Sequence, residues 1–166
     1  FGLGGDEIHF PPQLFEKTYA IARDAGLKTT IHAGEWDDAK SMETAIKTCK
    51  IDRIGHGVRA IESPNTLALL KDLQIPLEIC PSSNVVLGIY PNIAAHPLPK
   101  FIEKGVLVSI SSDDPPFMAT TIDKEYDIVQ KTFNYSDEQM KKLTRAAINA
   151  AFIDEETKQE LLKKCI

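Results

Sequence analysis

Five short apolar runs alternate with longer amphipathic stretches, and this alternation restricts the possible fold more than any other feature of the chain. The runs lie near Leu3 and at Lys28–His32, Ile51–His56, Pro76–Cys80 and Val106–Ser111, each of strand length. Between them, apolar residues recur at helical spacing, as in Phe15, Tyr19, Ala22 and Ala25. Helices are predicted over 15–25, 41–49, 64–73 and 98–104, with Gly26 ending the first and Pro64 suited to a first turn. The remainder reads as helical, with a capping box at Ser136 and Gln139 and a charged helix over 154–164. The order β-α-β-α predicts a parallel sheet in an α/β chain with a single domain over 1–166. Such units build either a doubly wound sheet or part of an eight-stranded barrel, which needs about 250 residues when complete.

Composition removes other classes. The chain is 43% hydrophobic and 26% charged, with a net charge of −5, which suits one packed core rather than disorder. No apolar run approaches the roughly 18 residues of a membrane span. A mildly acidic chain without a basic stripe is unsuited to nucleic acid. Cys49, Cys80 and Cys165 are too few and too scattered for a disulfide framework or a CxxC metal site, so a reducing, cytoplasmic setting is expected. The chain begins at Phe1 without an initiator Met or a signal-peptide pattern, and FGLGGDE reads as a strand and turn already inside a fold. The expectation is a fragment or a processed chain that lacks an N-terminal part.

Parallel α/β folds place ligands at the C-terminal ends of their strands. Here those ends carry Gly4-Gly5-Asp6-Glu7, His32-Ala33-Gly34-Glu35, Gly55-His56-Gly57, Cys80-Pro81-Ser82-Ser83-Asn84 and Ser112-Asp113-Asp114-Pro115-Pro116. His32 offers an imidazole nitrogen to a metal, or is a buried histidine bonded to a carbonyl. Glu35, across Gly34, is a candidate general acid or base, or an acidic residue favoured at a helix start. His56, between two glycines, can orient a nucleophile or simply occupy a turn. Asp113 and Asp114 repel one another at the mouth of a core, and a cation relieves that repulsion. Adjacent strand residues face opposite ways, so both could meet one site only through an irregular turn, which Pro115 and Pro116 can enforce. His9 and His96 read as surface residues, and Asn84 as a turn cap or a substrate contact. Cys80 reads as a small buried hydrophobe, and Trp36 as a candidate pocket wall. Neither a dinucleotide fingerprint nor a P-loop is present.

Taken together, Gly5-Asp6-Glu7, His32-Ala33-Gly34-Glu35, Arg53-Ile54-Gly55-His56-Gly57, Cys80-Pro81-Ser82-Ser83-Asn84 and Ser112-Asp113-Asp114-Pro115 resemble the adenosine deaminase family across nearly the whole chain. The resemblance implies a metal-dependent (β/α)8 TIM-barrel type fold, of which this chain holds about the last five βα units. It implies Zn2+ as cofactor, bound by His32 and Asp113. It also implies Glu35 as the proton-transferring residue, His56 as the residue orienting the attacking oxygen, and Asp114 as a contact to that oxygen and to purine N7. The backbone of Gly5 would contact purine N3. The implied reaction is hydrolytic deamination of adenosine to inosine and ammonia, with a small-molecule purine nucleoside as partner and neither nucleic acid nor membrane. Gly55 before His56 is similar to the nucleoside-specific members, where free-base members carry Asp. Adenine or another N6-aminopurine is the alternative substrate.

The chain departs from the family at one point. The family's first strand supplies two more zinc ligands from an HxH pair, and no HxH occurs here. Two protein ligands fall short of a catalytic zinc set. Activity is therefore expected only with a complementary N-terminal chain or segment, which would also cover the sheet edges near Leu3 and Val108. Two readings of other classes stand beside this one: a non-catalytic barrel fragment acting as a binding or assembly module, and a doubly wound Mg2+ hydrolase using Asp113 and Asp114.

Overall fold

The computed structural model describes residues 1–165. Five parallel strands, β1 (Gly2–Leu3), β2 (Thr30–Ala33), β3 (Arg53–His56), β4 (Leu77–Ile79) and β5 (Val108–Ile110), lie in the order β1-β2-β3-β4-β5. That order separates the two architectures open from sequence. A doubly wound sheet reverses its order at a switch point and carries helices on both faces. Here the order never reverses, as expected for consecutive right-handed crossovers along a barrel wall.

The connecting helices are α1 (Glu16–Asp24), α2 (Ala39–Thr44), α3 (Pro64–Asp72), α4 (Pro81–Val86), α5 (Leu98–Glu103), α6 (Pro115–Met118), α7 (Ile122–Phe133), α8 (Asp137–Ala150) and α9 (Glu155–Lys164). The helix over 41–49 begins earlier, at Ala39, and finishes as a π-type turn over Ala45–Cys49. The capping box at Ser136 and Gln139 is present, with Ser136 accepting from the Gln139 N–H and the Gln139 side chain reaching back to the Ser136 N–H. One helix is not legible in the sequence. Pro81, which closes a strand on sequence grounds, instead occupies the first turn of α4, where a missing N–H costs nothing.

Alternation along the strands separates two surfaces. Ile31, Ala33, Ile54, Leu77, Ile79, Val108 and Ile110 are buried against the helices, in a core completed by Tyr19, Met42, Leu70, Phe101, Val129 and Leu143. The opposite surface carries Thr30, His32, Arg53, Gly55 and Glu78 and is polar. Thr30 Oγ1 donates to Glu78 Oε2 at 3.1 Å, and Arg53 Nε lies 3.6 Å from Glu78 Oε1. Arg53 also donates to the Ala150 carbonyl and stacks 3.7 Å from the Phe152 ring centroid, which ties the base of the sheet to the C-terminal helices. No helix among the described residues is long and apolar enough to cross a membrane.

Candidate active site

The polar surface of the sheet ends, at the C-terminal side of β2 to β5, in a pocket of about 340 Å³ lined by His32, Gly55, His56, Glu78, Cys80, Ser111, Ser112 and Asp113. His32 enters it over two glycines. A Cβ at Gly4 would stand 3.1 Å from the imidazole, and one at Gly55 would stand 2.6 Å from His32 Cδ2. Both positions thus make room for one ring. His56 meets that ring edge-on, with centroids 4.6 Å apart.

Two residues reach the pocket through backbone geometry that strands do not normally adopt. His56 and Asp113 both have left-handed φ, +62° and +57°, which turns each side chain off the alternation of its strand. The irregular turn expected at Asp113 is therefore present, with Pro115 and Pro116 opening α6 directly beyond it. Ser83 Oγ donates to Asp113 Oδ2 at 2.7 Å, and His56 Nε2 lies 3.7 Å from the same oxygen. At Gly34 (φ +72°) a side chain would overlap Met42, so the turn between His32 and Glu35 admits only glycine.

Glu35 is buried beside His56. Asn84 Nδ2 donates to its Oε1 at 2.8 Å. His56 Nδ1 lies 3.1 Å from the same oxygen but off the hydrogen-bonding line, so this buried nitrogen has no hydrogen bond. Burial pushes the Glu35 carboxyl up to about 7, with the negative charges of Glu7 and Asp113 adding to the rise and the Asn84 bond opposing it. Burial pulls His56 down to about 4; the neighbouring His32 adds to this and Asp113 opposes it. At neutral pH His56 is an uncharged ring, and a large share of Glu35 is protonated.

The donors come in two overlapping groups. One nitrogen or oxygen each from His32, Glu35 and His56 lie within 4.8 Å of one another, as do donors from His56, Cys80 and Asp113. Imidazole nitrogen and carboxylate oxygen are ligands that suit zinc and similar divalent ions. The Cys80 thiol is pushed far up by burial, so it stays protonated and is a poor ligand at neutral pH.

Comparison with known proteins shows the family of the chain. The adenosine deaminase family profile matches residues 1–166. The chain belongs to the adenosine deaminase family. It is 46% identical over 164 residues to a protein of Rhizobium leguminosarum bv. trifolii named adenine deaminase, covering 99% of this chain and 51% of that protein. The crystal structure of an adenine deaminase from Arthrobacter aurescens superposes with a TM-score of 0.96 at 33% identity, covering 99% of this chain and 50% of that one. An amidohydrolase from Burkholderia ambifaria with bound zinc superposes at 0.90 with 27% identity, covering 99% of this chain and 46% of that one. The chain thus spans about half the length of these relatives, and its five-stranded sheet is a segment of their deaminase barrel.

Within this family frame, the residues singled out from sequence divide into two sets. His32, His56 and Asp113 share one pocket, and Glu35 adjoins His56. Asp114 is exposed and stands at the rim as the residue before α6, where its carbonyl accepts from Phe117 and Met118. Gly5 lies at an exposed turn and lines a separate cavity of about 280 Å³ with Glu7, Phe10 and one side of His32. His9 is on the surface, paired with Asp6. Trp36 is largely exposed and lines none of these cavities.

His96 is a correction: it is buried, not superficial, with Nε2 3.1 Å from Asn84 Oδ1. The Asn84 side chain caps no turn; it joins His96 to Glu35. Sequence reasoning also missed Glu7. This buried carboxylate accepts from the backbone N–H groups of Glu35, Trp36 and Asp37 and pins the loop that carries Glu35. Its position beside Asp6 at a strand end was the one available signal.

Proposed function

We propose that the chain forms the C-terminal five βα units of a metal-dependent enzyme that hydrolyses the 6-amino group of a purine. Adenine is the preferred substrate, with hypoxanthine and ammonia as products, and adenosine comes second. The observation that carries this reading is Glu35, buried with Asn84 Nδ2 2.8 Å and His56 Nδ1 3.1 Å from its Oε1, where burial pushes the carboxyl up to about 7. A carboxyl in that state can both give and take a proton at pH 7.

Relatives named adenine deaminase favour the free base. The glycine before His56, read from sequence as a mark of nucleoside specificity, has a packing cause in this chain. It leaves room for the His32 ring, so a glycine there has a reason besides substrate choice.

In this reading His32 and Asp113, which line one pocket but belong to different donor groups, hold the divalent ion, zinc by its donor chemistry. The cradle built by Gly4 and Gly55 around the His32 imidazole fits that role. A bound ion would supply acidity to solvent, making a nucleophile at neutral pH. The chain's own residues do the rest. Glu35 delivers its proton to purine N1, which makes C6 electrophilic. Uncharged His56 orients the attacking oxygen from one ring nitrogen. Ser83 fixes the Asp113 carboxylate. Asp114, at the rim, and the Gly5 backbone, in the neighbouring cavity that His32 also lines, would contact the purine at N7 and N3 respectively. The remaining ligands come from a complementary N-terminal segment.

The test is turnover of adenine and adenosine by the complete protein that carries this chain. Glu35→Gln is expected to lower kcat by about 10²–10⁴-fold, the usual worth of general acid–base catalysis. Chelation is expected to abolish turnover, and added zinc to restore it. Wild-type turnover in Glu35→Gln, or in metal-free protein, would overturn the reading. A protein that holds no tightly bound metal and turns over neither purine would instead be a binding or assembly module.

A further inference from the structure

His96 takes no part in the chemistry above, yet hydrogen bonds connect it without a break to Glu35. The line begins at the N-terminal end of α5, where the Leu98 N–H lies 3.1 Å from His96 Nδ1. A backbone N–H only donates, so Nδ1 is an acceptor and carries no proton. The ring is 3% exposed, and burial pulls it down to about 4, so at neutral pH it is uncharged with its single N–H on Nε2. Nε2 faces Asn84 Oδ1 at 3.1 Å, so the ring donates and the amide oxygen accepts. That fixes the amide: Nδ2 turns to Glu35 and donates to Oε1 at 2.8 Å. A reversed amide would set two donors against each other at His96 and two acceptors against each other at Glu35. A backbone group on α5 thus dictates, two side chains away, which kind of atom Glu35 meets.

We infer that Asn84 and His96 are positioning residues for Glu35, acting as one unit that holds Oε1 and leaves Oε2 to exchange a proton with the purine. Among the described residues no hydrogen bond reaches Oε2, while Oε1 has the Asn84 donor and His56 at its side. The side chains of the unit are all deeply buried, Asn84 at 0% and Glu35 at 5% exposure, so water cannot replace a lost donor freely. A carboxyl released from this hold rotates, and misplacement of a catalytic group by about 1 Å can cost on the order of a hundredfold. The inference rests on the reading of Glu35 as the proton-transferring residue.

The alternative is a buried histidine that serves packing alone, and kinetics separate the two. In the complete protein, Asn84→Leu keeps the size of the side chain and removes both polar atoms. His96→Phe keeps a ring and removes both nitrogens. Each is expected to lower kcat at least tenfold while KM stays within threefold. Because the two residues act through one bond to Glu35, the double variant is expected to lie within threefold of the worse single variant. His96→Gln, whose amide can again donate to Asn84, is expected to recover at least fivefold over His96→Phe. If Asn84→Leu does not fold, the His96→Phe and His96→Gln pair decides. A loss below tenfold in the folded variants, a double loss equal to the product of the singles, or no recovery in His96→Gln would overturn the inference. Glu35→Gln is measured alongside: if it abolishes turnover while the Asn84 and His96 variants work normally, only the relay fails. If it turns over normally, the reading of Glu35 itself fails.

Discussion

Glu35 sits between opposing influences, and their balance sets its chemistry. Burial and the charges of Glu7 and Asp113 favour its protonated form, while the Asn84 donor favours the carboxylate. Only the protonated form can deliver a proton to purine N1, so kcat/KM is expected to fall as pH rises through about 7, where this carboxyl ionises. A pH–rate profile of the complete protein across neutrality checks this, and a profile with no alkaline loss would contradict it. Gly55 gives a second prediction. A Cβ there meets His32 at 2.6 Å, so Gly55→Ala is expected to displace the imidazole and lose bound metal while the fold persists, read by metal content beside thermal unfolding. At this scale the sequence was legible where a polar residue ended a strand: His32, Glu35, His56 and Asp113 all fall in that pattern. It was not legible where partners are remote. Asn84 lies 49 residues from Glu35, and His96, in a loop before Pro97, gave no sign of burial. Gly55 carries two readings, because a packing requirement and a specificity mark look the same in one sequence.

The elements matter here for the loops they hold. Helix α4 starts at Pro81 and carries Ser83 and Asn84 into the site, and its first turn is tied from outside by α7. The Glu125 carboxylate, 0% exposed, accepts from the Ser82 N–H at 3.1 Å and from Thr120 Oγ1 at 2.5 Å. Glu125→Ala removes the acceptor of the Ser82 N–H and the close acceptor of Thr120, and is expected to cost about 2–4 kcal/mol of stability, measured by denaturant unfolding. A change below about 0.5 kcal/mol would contradict this account of α4. Helix α5 contributes through its bond to His96, whose ring also packs at a tilt against Tyr90 with centroids 5.1 Å apart. Its folded pKa of about 4 lies below the ordinary 6.5, so the native state binds fewer protons than the unfolded chain between these values. The resulting stability is complete above pH 6.5 and is lost as pH falls towards 4, about 3 kcal/mol in all. His96→Gln is expected to flatten that acid dependence, checked by unfolding midpoints through the same interval. Strands and most helices were legible because period and punctuation are local. Helix α4 was not, because a proline after a strand reads equally as a stop or as a helix start.

For the molecule as a whole, the strand order and the polar inner surface make sense only as part of a closed wall. Among the described residues β1 and β5 are the two edges of the sheet, and Phe10, Leu14 and Phe117 are among the exposed apolar side chains. Residues 1–166 alone are expected to self-associate and to hold zinc weakly. Adding the complementary segment in trans is expected to restore a defined species with one tightly bound ion, read by light scattering and metal analysis. The βα pattern alone fits both a barrel and a doubly wound sheet; the family resemblance implied the barrel, and the unreversed strand order agrees with it. The central claim is that groups from separate strands converge on one divalent ion. The most direct measurement is the anomalous density of a zinc-loaded crystal of the complete protein. The expected result is one ion at about 2.0–2.2 Å from both a His32 ring nitrogen and an Asp113 carboxylate oxygen; an ion bound to only one of them, or to neither, would contradict it.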